Sequence, residues 1–493
     1  MKLKNVLLLE PINTPIEVLT KDQNIRNSSK KNLLIYAIGL IYRKYRLRLT
    51  SLHSIPLGLA QLSSIAKQKN IDTHHIPFIL DATKRYINDD EIERKIRAFD
   101  YNEVWMTIGS PEAAHESFRY ANIVKKINQA TTVMIGGILP SMYPEFFLKH
   151  SSIDQLIRGP AEVAIQQYIQ NPSLSERKHI QGFCFRTNRG KINVSPYYAV
   201  EPDLSAIPPY DFEGLCINEY MKDNHFCNIQ ASRGCPFNCP FCAHAKFWGL
   251  EAKFRPLNNL RQELKILENY GCRGGYLVDS TFTLNKQRLS KFIEMYEDAE
   301  IHIKLMFETR ADLFTDDIAK LTKRMDPFFV WFGAESGSPQ VLEKLNGKDH
   351  DNGYQHSKNL LNAVRTAKKY DLLCGSSWVI GLPGENWQSV QETKDLIFRL
   401  DAAGMDIADI RILQIFPGTP YWNDPNRWGL KIFQREEVSA TDSPWDKYAG
   451  HETEKMTANQ IERAAERLKN ELFNHYLTKT KNIRGKRKIK VAS

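Results

Sequence analysis

Twice along these 493 residues, short apolar runs alternate with segments of helical period, and a stretch with neither pattern separates the two series. In the first series, NVLLLE (5–10), IDTHHIPF (71–78), EVWMTIG (103–109), TTVMIGG (131–137) and SIDQLIRG (152–159) read as strands. The pieces between them are amphipathic; IPLGLAQLSSIAKQKN (55–70) sets Leu59, Leu62 and Ile65 on one face of a helix. Continuous apolar strands joined by helices predict a doubly wound parallel sheet over residues 1–175. Ligands of such sheets sit at the carboxyl ends of the strands. Those ends carry Thr107 to Ser110, Gly136 with Gly137, and Gly159, small residues that let a large flat ligand approach the backbone.

GFCFRTNRGKINV (182–194) reads as a β-hairpin turning at Asn188-Arg189-Gly190. YYAVEPDLSAIPPYDFEG is proline-punctuated and aperiodic, so residues 176–226 are assigned to a hairpin and linker. The second series has strands expected at 227–232, 275–279, 302–308, 328–334, 374–381 and 408–414. Its helices include LNNLRQELKILENY, with Leu257, Leu260, Leu264 and Leu267 at helical spacing. Six βα units are too few to close an eight-stranded barrel, which predicts an open (β/α)6 barrel over 227–425, its chemistry at the carboxyl ends of the strands. A C-terminal helical region (426–493) follows, with an amphipathic helix at 457–477.

Several functional classes can be set aside on composition. The net charge of +10 is concentrated in KTKNIRGKRKIKVAS, which holds seven Lys or Arg and no acid, leaving +3 for the remainder. The body has no basic stripe with interleaved aromatics, so a nucleic-acid partner is not expected, and the tail reads as solvated and mobile. MKLKNVLLLEP has its apolar run cut by Glu10 and Pro11 and reads as a strand rather than a signal peptide. Leu33 to Tyr42, the most membrane-like stretch, is half of the roughly 20 residues that a spanning helix needs. A cytoplasmic protein is expected. Eight cysteines in a chain of this length are too few for a disulfide framework, and Cys184, Cys216, Cys227, Cys272 and Cys374 are scattered as small buried hydrophobes are.

The other three stand together. QASRGCPFNCPFCAHAKFWG places Cys235, Cys239 and Cys242 in a C-x3-C-x2-C pattern, directly after the first strand of the second series. Thiolates at such spacing ligate zinc or an iron–sulfur cluster. A structural zinc site closes with four ligands, and His244 is the one local candidate for the fourth. A 4Fe-4S cluster on three cysteines leaves one iron without a protein ligand. An open coordination position marks reactivity rather than support.

With Phe241 before the last cysteine, this motif resembles that of the radical S-adenosylmethionine superfamily. The resemblance implies that S-adenosylmethionine chelates the open iron and is cleaved to methionine and a 5′-deoxyadenosyl radical. Later segments resemble further motifs of the family, and the roles that follow are those the resemblance implies. GGYLVDSTFTLN offers Asp279 to the ligand's amino group, in a position where two acids often stand and this chain has Asp279-Ser280. FETRADLF offers Arg310 to its carboxylate, and FGAESGSPQVLEKLNGK offers Glu335 as a polar contact. A structural ion pair between Arg310 and Glu335 is the lesser alternative. VIGLPGENWQS brings Gly381 and Gly384 to the adenine, and FPGTPYW matches the turn after the sixth strand.

The first domain resembles the Rossmann-like cobalamin-binding domain that precedes this barrel in one branch of the superfamily. SIPLGLAQLSSIAK, MIGGILPSMYPEFFL and IDQLIRGPAEVAI, with Arg158, Gly159 and Glu162, carry that resemblance. The D-x-H-x-x-G sequence that supplies a histidine to cobalt in mutases is absent; His53, His74, His75 and His115 stand in other contexts. Three cofactors are therefore implied: the 4Fe-4S cluster, S-adenosylmethionine and cobalamin. In most such enzymes one S-adenosylmethionine methylates Co(I) and a second yields the radical that activates a substrate carbon.

A tRNA methylthiotransferase would carry three more cysteines in its N-terminal domain, and here none precedes Cys184. Peptide-modifying relatives need a cysteine-rich C-terminal domain, and no cysteine follows Cys374. The expected activity is methylation of an unactivated carbon of a small molecule. A radical cyclase or ring-rearranging enzyme on the same scaffold is the alternative, and a non-enzymatic cobalamin or redox sensor a third reading. Flavodoxin or ferredoxin is the implied electron donor.

Overall fold

The computed structural model of the chain describes residues 3–9, 55–76, 88–109, 111–187, 189–221, 225–346, 353–433 and 449–490. Ser110, His53, Asn188 and the segment 11–54 lie outside the described residues.

The first sheet contains β1 (Asn5–Leu9), β2 (Asp72–Ile76), β3 (Glu103–Thr107), β4 (Thr132–Gly136), β5 (Gln155–Ile157), β6 (Phe183–Arg186) and β7 (Ile192–Asn193), in spatial order β2-β1-β3-β4-β5-β6-β7. The first five are parallel. β6 adds antiparallel to β5, with Leu156 opposite Cys184, so the expected hairpin extends this sheet rather than standing apart from it. Successive side chains alternate between two buried faces. Leu7, Leu9, Val104 and Met106 belong to one apolar cluster. Val6, Leu8, Trp105 and Met134 belong to another, which runs on without a break into barrel residues such as Cys227, Leu277 and Phe307. The helices Leu57–Gln68 and Glu162–Gln170 contribute Leu59, Ile65, Ile165 and Tyr168 to this second cluster, which continues from them into the barrel.

The second sheet is the expected open barrel: β8 (Phe226–Ile229), β11 (Gly274–Leu277), β12 (Lys304–Arg310), β13 (Phe329–Glu335), β14 (Leu373–Ile380) and β15 (Ile407–Ile412), all parallel, in order β15-β14-β13-β12-β11-β8. Two short ribbons accompany it. β9 (Ser232–Arg233) pairs with β10 (Lys253–Phe254), and β16 (Leu430–Ile432) with β17 (His451–Thr453). Along β12 burial alternates strictly: Leu305, Phe307 and Thr309 are buried, whereas Glu308 and Arg310 are partly open and line a central cavity that Thr309 also reaches. The chain's polar barrel residues therefore sit where a ligand, not a core, would meet them.

The aperiodic linker clamps the two halves together. Asp211 accepts the Ser63 hydroxyl at 2.5 Å and pairs with Lys67 at 2.6 Å, both on the helix Leu57–Gln68. The adjacent Tyr210 N–H donates to the buried Glu263 of the barrel at 3.0 Å. The closing helix is longer than expected, Ala458–Lys490, packing Ile461, Ala465, Leu468 and Leu472 on the barrel before its backbone continues into the basic tail. Among the described residues no helix is long and apolar enough to cross a membrane.

Candidate active site

The cysteine loop is shaped by backbone, not by its thiols. After β9 the chain turns at Gly234, at φ +80°, where a Cβ would lie 2.0 Å from the Glu251 carbonyl oxygen; only glycine fits there. The Cys235 N–H donates to Gly249 O at 3.3 Å and the Cys242 N–H to Cys239 O at 3.1 Å. Cys242 then stands at the start of a short helix, Ala243–Trp248. All three thiols are free, half-buried, and line one cavity of about 320 Å³ together with Phe241, Asp279, Arg310 and Glu335. Burial pushes the Cys239 thiol up to about 12, helped by Glu335 and opposed by Arg310. Cys242 is raised by burial and held back by the backbone of Ala245 and His244. Such thiols become ligands only when a cation offsets the burial.

The donor set suits an iron–sulfur cube. Among the described residues no three Cys, His, Asp or Glu side chains converge on a point that a single ion could occupy. Three thiols of one short loop lining a single cavity of about 320 Å³ offer a cubane three of its four iron ligands. His244 lines the same cavity from the first turn of its helix without completing a four-ligand zinc site.

The remaining expected contacts divide. Asp279 is buried, its Oδ1 accepting the Ala231 N–H at 2.8 Å and its Oδ2 the Ser232 hydroxyl at 2.5 Å, and burial raises its carboxyl to about 6. It lines the cavity while tying the end of β11 to the root of the cysteine loop. Arg310 pairs not with Glu335 but with Asp312, through Nε at 2.9 Å and Nη2 at 2.8 Å, and stacks 4.0 Å from the Phe237 ring. Glu335 ends β13 with φ +60°, where the register with β14 shifts, and burial with the nearby Glu308 raises it to about 7. Gly381 and Gly384 do not line this cavity. Their left-handed φ values, +97° and +82°, and close packing explain them: a Cβ would come within 2.9 Å of the His451 ring and 2.8 Å of the Lys344 side chain. One pair was not foreseen. The Tyr276 hydroxyl donates to Glu308 at 2.5 Å inside the cavity, and burial raises the Glu308 carboxyl. Its only sequence signal is that Glu308 shares the face of Arg310 on one strand.

A second cavity, of about 380 Å³, opens between the carboxyl ends of the first sheet and the barrel mouth. Thr107, Gly136, Gly137, Gly159 and Glu162 line it, facing Asn228, Gln230 and Arg233 of the barrel. A Cβ at Gly109 would meet nothing within 4 Å, and at Gly58 or Gly136 nothing closer than 3.8 Å, so these glycines leave room for a broad ligand such as a corrin. Gly137 and Gly159 have a different reason, at φ +105° and +92°, where a Cβ would strike Ile108 O at 2.6 Å and the Tyr198 side chain at 2.9 Å. No histidine is among the described lining residues. His75 is buried elsewhere, between Leu8 O at 3.1 Å and the Tyr220 hydroxyl at 2.9 Å, and His74 packs on Phe99.

Glu162 and Arg233 meet in the wall of this second cavity. Both are buried, with Arg233 Nη1 2.6 Å from Glu162 Oε1, off the hydrogen-bonding axis, and Glu162 Oε2 has no hydrogen-bond partner among the described residues. Arg233 Nε also donates to Gln230 Oε1 at 2.8 Å, and the guanidinium lies 4.6 Å from the Trp248 ring. An ion pair thus links the first domain to the residue two places before Cys235.

Family models match both halves: a B12 binding domain over residues 50–169 and the radical SAM superfamily over 229–397. The chain belongs to the radical S-adenosylmethionine enzymes that carry an N-terminal cobalamin-binding domain. Within that family it is similar to an uncharacterized methyltransferase of Pyrococcus horikoshii, 30% identical over 371 residues, covering 74% of this chain and 77% of that one. An anaerobic magnesium-protoporphyrin IX monomethyl ester cyclase of Rubrivivax gelatinosus is 23% identical over 325 residues, 64% of this chain and 57% of the cyclase. The fold is that of the radical S-adenosylmethionine methyltransferase TsrM of Kitasatospora setae, with a TM-score of 0.66 at 18% identity, over 90% of this chain and 79% of that one.

Proposed function

We propose that this chain methylates an unactivated carbon of a small molecule in a cobalamin-dependent radical reaction. The observation that carries the reading is the meeting, in one chain, of a three-thiol cavity and a glycine-lined cavity against the same barrel mouth. When bound, the cluster supplies the electron that cleaves S-adenosylmethionine and cobalamin carries the methyl group. The chain's own part is to hold and orient them. Cys235, Cys239 and Cys242 take the cluster. Asp279, Glu308 and Glu335, all raised by burial, suit a cationic sulfonium ligand, whose charge favours their ionised forms. Arg310 remains the group for that ligand's carboxylate. Thr107, Gly136 and Glu162 face the corrin.

The working units of this reading are residues 1–175, 176–226, 227–425 and 426–493. The setting is the cytoplasm, with a flavodoxin or ferredoxin supplying low-potential electrons. Anaerobically reconstituted protein given methyl-labelled S-adenosylmethionine and a small-molecule extract is expected to form 5′-deoxyadenosine and a labelled, one-carbon-heavier product. Replacing each of the three cysteines by alanine should abolish the cluster's visible absorbance and 5′-deoxyadenosine together. Substrate turnover that leaves the label behind would favour a radical cyclase, the reading suggested by the name of the Rubrivivax relative. A sensor would form no 5′-deoxyadenosine at all.

A further inference from the structure

We propose that Val278 is the partition between the two cavities of this enzyme, the side chain past which the methyl group travels from one to the other. The proposal rests on the methyltransferase reading. Among the described residues, Val278 alone lines both cavities. Asn228 and Gln230 stand on its corrin side; Tyr276 and Cys235 stand on its cluster side.

The partition is held rigidly. The Val278 N–H donates to Ile229 O at 2.9 Å, and its neighbour Asp279 is clamped by Ala231 and Ser232 at 2.8 and 2.5 Å. A β-branched side chain on a fixed backbone has little rotamer freedom. Valine is therefore a stiff, apolar rim of set size, which neither hydrogen-bonds a passing group nor swings aside. Its volume determines how closely groups in the two cavities can approach.

The step it governs is a methyl transfer that balances by itself. The methyl–sulfur bond of S-adenosylmethionine breaks with both electrons left on sulfur, giving S-adenosylhomocysteine. The new carbon–cobalt bond uses the electron pair of Co(I), kept reduced by a low-potential reductant. No substrate is required, so the proposal can be tested before the substrate is known.

Full-length Val278→Phe, Val278→Ile and Val278→Ala proteins would be reconstituted anaerobically with iron, sulfide and hydroxocobalamin, with titanium(III) citrate as reductant. Four readouts apply: bound cobalamin by absorbance, 5′-deoxyadenosine formed, label passed from methyl-labelled S-adenosylmethionine to cobalamin, and the change in the Co(II) electron paramagnetic resonance spectrum on adding S-adenosylmethionine. For Val278→Phe, the label passed to cobalamin, taken relative to the cobalamin bound and the 5′-deoxyadenosine formed by the same protein, falls by about tenfold or more, and the spectral response disappears. Val278→Ile falls between, which covers the case in which phenylalanine prevents folding. Val278→Ala keeps both transfer and response. Undiminished transfer in Val278→Phe and Val278→Ile would overturn the proposal, as would loss of bound cobalamin from folded protein. Wild-type protein that makes 5′-deoxyadenosine but never labels cobalamin would instead defeat the methyltransferase reading, while the spectral response would still report on the partition.

Discussion

Arg233 and Glu162 are a pair of charges removed from water, each less than 10% exposed and 2.6 Å from the other. Taking both ions out of solvent cancels much of their attraction, but removing one leaves the other stranded. Glu162→Gln is expected to destabilise the fold by about 3–5 kcal/mol in denaturant titrations, and Glu162→Gln with Arg233→Met by clearly less. Equal losses in the single and double variants would mean that the charges do not act as a pair. Gly234 makes a sharper test of the cysteine loop. With φ at +80° and the Glu251 carbonyl where a Cβ would sit, Gly234→Ala must move the backbone next to Cys235. Far-ultraviolet circular dichroism should be unchanged while iron retained after reconstitution falls below that of wild type. The cysteines themselves were legible from sequence because their spacing is local. The partner of Arg310 was not: Glu335 and Asp312 both lie within reach in sequence terms, and only the turn after β12 selects Asp312.

At the scale of elements, period-2 burial explains both the strands and their polar residues. The first sheet reads as nearly continuous apolar runs because it is covered on both faces. His75 on β2 is one exception, a buried imidazole with both nitrogens engaged and a pKa lowered to about 4 by burial. Because its folded pKa lies below the ordinary 6.5, the unfolded chain binds more protons between those values, and stability falls as pH drops from 6.5 to 4. The full effect is about 3 kcal/mol. In His75→Gln the acid side of a melting-temperature profile should be shallower than in wild type; parallel profiles would assign that slope to other groups. Gly381 shows the limit of reading elements singly. Its glycine-rich turn suggested a ligand approach, whereas the structure sets it against His451 of β17, whose ring nitrogen lies 2.8 Å from the Gly381 carbonyl. That partner comes from a ribbon distant in sequence and invisible to local pattern.

On the scale of the whole molecule, the two halves share one apolar cluster, and the linker's Tyr210 and Asp211 fasten them at Glu263 and Lys67. They should unfold together, as a single calorimetric transition. A fragment of residues 1–175 would lack β6, β7 and the linker and barrel part of the apolar cluster to which Trp105 and Leu8 belong, and should bind a hydrophobic dye strongly or aggregate. A monomeric, dye-silent fragment would show that the halves are energetically separate. Local chemistry is legible along the chain: the strand and helix periods, three thiols at ligand spacing, and glycines at strand ends. It could not decide which polar groups meet. The clamp on Asp279, the Arg233–Glu162 pair and the place of Val278 between the two cavities each join segments far apart in the chain. Such contacts exist only once the two sheets have packed, because packing alone sets which side chains are deprived of water together.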